Sequence, residues 1–120
     1  MWAADPDYRH LRRTRADGTE LHFFFQPRVG ATSNWEKLPE IMDEAFGYIN
    51  ENFGQYHHKK YSFIEGGDGG MEYPMATLIT GGTRLTPLAS VSIHELMLSW
   101  YQMMLGSNES LYAWMDEGFT

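Results

Sequence analysis

From Thr86 to Gly106 the chain spells a helix with almost no polar face, and such a helix is stable only when it is buried. Thr86 and Pro87 suit a cap and first-turn pair, Gly106 supplies the stop, and Leu88, Val91, Leu96, Leu98, Met103 and Met104 leave few faces for water. The rest of the chain must therefore wrap this helix. Its 120 residues set a ceiling of one domain or part of one, and a 42% hydrophobic content is enough for a core.

The other segments supply the covering layers. Leu21 to Gln26 reads as a buried strand, joined through the Asp17-Gly18 turn to the segment before it. Pro6 biases the opening residues toward extended and turn structure, including the Met1 end. Leu38, Ile41, Met42, Ala45, Phe46, Ile49 and Phe53 recur at helical spacing, with Gly54 as the stop. Ser33 and Glu36 suit a capping box, but Pro39 fits better as a first helical residue, so the helix is expected to start near Leu38. Tyr61 to Glu65 and Ala76 to Thr80 read as strands around a flexible Gly66 to Gly70 loop, and Leu111, Trp114 and Met115 suggest a last helix after Asn108.

A net charge of −7 disfavours nucleic acid and anionic lipid, and the cluster Arg9, Arg12, Arg13 and Arg15 reads as a solvated segment. Without cysteine, a transition metal must sit on His, Asp or Glu. No apolar run reaches the length of a membrane span, and the Met1 end shows no basic region followed by an apolar stretch, so no compartment is assigned.

Within the buried helix, His94-Glu95-Leu96-Met97-Leu98 nearly spells H-E-x-x-H, a zinc motif whose two imidazoles share a helix face while the acid serves as general base. Leucine stands where the second histidine belongs. Taken alone, a His-Glu pair on an apolar helix is more often a satisfied core pair. His57 and His58 lie in a polar, lysine-flanked stretch that reads as surface loop, and His10 and His22 have no partners at useful spacing.

Two flanking motifs change the weight of His94-Glu95. Glu117, in Trp114-Met115-Asp116-Glu117-Gly118-Phe119-Thr120, follows position 98 by nineteen residues, the spacing of the third zinc ligand in gluzincin peptidases. Gly69-Gly70-Met71-Glu72-Tyr73 resembles the G-x-M-E-N signature of the aminopeptidase N-like family of zinc metallopeptidases, with Tyr73 in place of the asparagine. The resemblance implies an α+β fold: part of a thermolysin-like zinc peptidase domain, whose small mixed sheet has an edge strand lining the active site and is followed by the zinc-binding helix. Residues 1–120 would be a partial catalytic domain truncated at both ends, with the remainder of the parent polypeptide as its partner.

By the same resemblance His94 and Glu117 are metal ligands, Glu95 is the general base, and Glu72 binds the free α-amine of a peptide substrate. The backbone of Gly69, Gly70 and Met71 would lie along that peptide. Family membership implies one zinc ion and hydrolysis of N-terminal peptide bonds. Leu98 offers no lone pair, so weak or absent zinc binding and an inactive chain are expected. The alternative is a peptide-binding or structural module that has lost its metal.

Overall fold

A computed structural model describes residues 2–67, 69–82 and 84–120, so Met1, Asp68 in the glycine loop, and Thr83 lie outside the described residues. Its elements run β1 (Arg9–Thr14), β2 (Glu20–Phe25), α1 (Thr32–Phe53), β3 (Lys60–Gly66), β4 (Gly70–Tyr73), β5 (Ala76–Thr80), α2 (Leu85–Leu105) and α3 (Ala113–Asp116). The five strands form one mixed sheet in the order β1-β2-β3-β5-β4. β2, β3 and β5 are parallel, and an antiparallel strand borders each side. The protein is a small α+β domain.

The β1–β2 hairpin turns where expected. Gly18 takes φ +87°, a conformation that costs glycine nothing, and Asp17 Oδ1 accepts the Thr19 N–H at 2.8 Å. Alternation along β2 sends Leu21, Phe23 and Phe25 to one face, where they meet Tyr61, Phe63 and Ile79 of the parallel strands. α1 and α2 pack on each other and on that face, closing one core with Trp35, Leu38, Met42, Phe46, Leu88, Leu96 and Trp100. Phe46 sits at its centre, edge-on to Trp100 at 4.7 Å and to Tyr56 at 5.2 Å.

Two helix starts differ from the sequence reading. α1 begins at Thr32 rather than near Leu38, and Pro39 lies inside it. An interior proline costs about 3 kcal/mol. Trp35, fully buried and stacked on Phe25 at 5.4 Å, removes enough apolar surface to offset that, about 4–6 kcal/mol for 150–250 Å². Ser33 and Glu36 form no capping box; Glu36 pairs instead with Arg9 at 3.0 Å, and Thr32 Oγ1 accepts the Arg28 N–H at 2.8 Å. α2 starts at Leu85, one residue before the expected cap, while its end at Gly106 in the left-handed region is as expected.

The arginine cluster is not simply solvated. Arg15 is held over the Phe46 ring at 5.0 Å and paired with Asp43, so it closes the edge of the core. Met104 and Leu105, at the end of the helix expected to be buried, are exposed. The last helix is a single turn. Among the described residues no helix is long and apolar enough to cross a membrane.

Truncating Phe46 removes the ring on which both helices and the strands converge. Phe46→Ala is expected to lower unfolding stability by about 3–5 kcal/mol, read from the urea midpoint at constant slope.

Candidate active site

α2 lies across β4 and β5, and its Glu95 and Val91 side chains come close to Gly70, the first residue of the edge strand. A Cβ on Gly70 would fall well inside van der Waals contact with Glu95 Oε1 and sit 3.2 Å from Val91 Cγ1, so any larger residue there would force the Glu95 carboxylate to move. Side chains alternate along a strand, so Glu72 projects from the same face of β4 as Gly70 and meets α2 beside Glu95. The neighbouring Met71 points the other way and is exposed, its carbonyl accepting the Thr77 hydroxyl at 3.0 Å. Gly69 has open space around it.

α2 is fixed over the sheet by a buried polar contact. The Tyr61 hydroxyl on β3 donates to the Glu95 backbone carbonyl at 3.3 Å and receives the Ser99 hydroxyl at 3.2 Å. The turn of helix that carries Glu95 is thereby fastened to the central strand. Its carboxylate is buried with Oε2 lacking a hydrogen-bond partner. Burial, and then the Glu72 charge, push the Glu95 carboxyl up to about 7, against a smaller opposing pull from His94.

The loop after α2 returns α3 to the helix. His94 Nε2 lies 3.1 Å from Glu117 Oε2, so the two residues chosen as ligands do meet. That spacing is close to the roughly 3.3 Å between neighbouring ligands of a four-coordinate zinc with bonds of about 2.0–2.1 Å. The third position is different. Leu98, one turn beyond His94, is fully buried yet stands outside the contiguous hydrophobic core. An imidazole, a carboxylate and an isobutyl group do not make the three-ligand set of a catalytic zinc.

Asp116 and Glu109 were not chosen from the sequence. Each offers a carboxylate oxygen within 4.8 Å of the other and of one on Glu72. Burial and the charges of Glu117 and Glu109 raise the Asp116 carboxyl above its ordinary range. Burial also raises Glu72, with Asp116, Glu109 and Glu117 adding to it and its own backbone N–H partly offsetting them. The signal for Asp116 in the sequence was only its place beside Glu117. Glu109 had none, because a loop whose path is set by tertiary contacts brings it in.

Two other features also escaped the sequence. His10 and His22, unassigned there, meet across β1 and β2 at 2.9 Å, and His22 reaches Glu20 at 3.2 Å. A cleft of about 650 Å³ at the ends of the parallel strands is bordered by Tyr8, Arg28, Glu65 and Gly81 and contains none of the chosen residues. There the buried Glu65 is paired with Arg28 and accepts the Gln26 N–H at 2.7 Å. His57 and His58 are exposed, as expected for a surface loop.

No protein-family model and no curated protein sequence matches the chain. Its fold is found among solved structures. It is similar to a crystal structure of Legionella pneumophila aminopeptidase A in complex with aspartic acid, with a TM-score of 0.61 and 16% identity. The match covers 78% of this chain and 13% of that one, so it spans a small part of the larger protein. At that identity the likeness is one of fold alone.

The raised Glu95 carboxyl has a consequence for stability. Between its ordinary 4.5 and about 7 the folded chain keeps a proton that the unfolded chain has released, so stability falls as pH rises through that window. Glu95→Gln removes the charge. The variant is expected to be more stable than the parent by about 2 kcal/mol at pH 8 and nearly equal to it at pH 4.5, compared by urea unfolding at the two pH values.

Proposed function

We propose that this chain is part of a thermolysin-like aminopeptidase catalytic domain that keeps its peptide-recognition and acid/base groups but has lost its zinc site at Leu98. One observation carries the reading. Glu72 from the edge strand, His94 and Glu95 from α2, and Glu117 from the end of α3 converge from three separate elements, in the order of the family's motifs. The likeness in fold to an aminopeptidase supports the same reading.

In this proposal Glu72 receives the ammonium of a peptide with a free N-terminus, a charge-assisted contact favoured by the acids around it. The backbone of Gly69, Gly70 and Met71 lies along the peptide. Glu95 holds or releases a proton at its carboxylate near neutral pH, as a general base requires. In an intact relative, zinc supplies an activated water. Here the donor set is incomplete, so the chain binds a peptide N-terminus and does not hydrolyse it. The exposed Leu105, Leu111, Tyr112, Trp114 and Phe119 form the face on which the remainder of a parent polypeptide packs.

Zinc content after dialysis tests this directly. The chain is expected to retain well under one equivalent and to leave an aminoacyl reporter uncleaved, whereas Leu98→His retains about one equivalent through at least a ten- to a hundred-fold gain in affinity. A full equivalent on the Leu98 chain removes the claim of a broken site. Failure of the histidine variant to gain metal removes the aminopeptidase reading itself.

A further inference from the structure

The carboxylates of Glu72, Glu109 and Asp116 approach one another without a cation between them. Their offered oxygens all lie within 4.8 Å of each other, and two of the three residues are more than nine-tenths buried. No arginine or lysine forms an ion pair with any of them among the described residues. Three carboxyl groups gathered in this way repel one another unless a proton or a cation is shared among them.

A second observation concerns the hydrogen bonds. Asp116 is 3% exposed, and its Oδ1 has no hydrogen-bond donor. A buried carboxylate oxygen left without a donor is destabilising, and the hydrogen bond that the Asp116 side chain does make, with Glu109, stays within the cluster. Glu109 is positioned by Gln102 Nε2, which donates to its Oε2 at 2.5 Å, while Gln102 Oε1 is itself buried without a partner. The region is rich in oxygen acceptors and short of donors and positive charge.

We propose that Glu72, Glu109 and Asp116 form a site for a hard divalent cation, with calcium as the best fit. Carboxylate oxygens are the ligands such ions take, with exposed Glu109 leaving the water-filled side where solvent completes the shell. Calcium accepts a flexible shell of about six to eight oxygens, whereas magnesium demands near-octahedral geometry and dehydrates reluctantly, so an irregular set of carboxylates open to water on one side suits calcium.

This site takes its ligand atoms from residues other than His94 and Glu117, although both act electrostatically on Asp116, and it does not depend on the peptidase reading. Its ligands are all oxygen, whereas the neighbouring pair offers an imidazole nitrogen that suits softer metals. Glu72 belongs to both regions, so a bound calcium and a peptide ammonium would compete for it.

Calorimetric titration of the 120-residue chain with calcium chloride, after treatment with chelator, tests the site. One equivalent is expected to bind with a dissociation constant of about 10⁻⁵ to 10⁻³ M. Asp116→Asn and Glu109→Gln are each expected to weaken binding about tenfold or more, and His57→Ala, in the exposed stretch before β3, to leave it unchanged. Because Glu109 is exposed, its variant keeps the fold, checked by circular dichroism, and the parent alone is stabilised against heat by calcium. Absence of saturable binding at millimolar calcium, or binding that survives both carboxylate substitutions, overturns the proposal. The zinc result with Leu98→His bears on the peptidase reading alone.

Discussion

The contact between Glu95 and the backbone of Gly70 organises everything on this side of the molecule. A helix acid that rests on an edge strand needs a residue without a side chain beneath it, and Gly70 is that residue. With the helix so close, strand alternation brings Glu72 against it, and the return of the chain through α3 adds Asp116 and Glu117. Burial of Glu95 follows from the same docking, which is why its carboxyl stays protonated up to near neutral pH. Packing and electrostatics here are two consequences of one approach.

Leu98 illustrates how stability and chemistry part company. An apolar side chain in a buried helix gains about 1.5–3 kcal/mol from leaving water, whereas a histidine in that place needs a metal or a hydrogen-bond partner. The leucine is fully buried, yet it is not part of the main hydrophobic cluster. It lies one turn from His94 on α2. The fold tolerates the leucine, and the donor set is left with His94 and Glu117 alone.

Much of this arrangement could be read from local patterns. The apolar strand at β2, the Asp17-Gly18 turn, and the Gly54 and Gly106 stops each depend on near neighbours, and each lies within a residue of where it was expected. Departures came where distant contacts decided the outcome. Burial of Trp35 against Phe25 carried α1 six residues past its expected start, through Pro39. In the site, the pairing of His94 with Glu117 was legible through motif spacing. The arrival of Glu109 and the meeting of His10 with His22 were not, because both depend on how strands and loops are placed in three dimensions.

The central claim is that Glu95 stands directly over Gly70 and so holds the acids together. A double-mutant cycle with Gly70→Ala and Glu95→Ala measures it most directly, by urea unfolding of the four proteins. The account predicts that Gly70→Ala is less costly once the Glu95 carboxylate is gone, giving a coupling of about 1–3 kcal/mol that relieves the double variant. Costs that simply add, within about 0.5 kcal/mol, would contradict it.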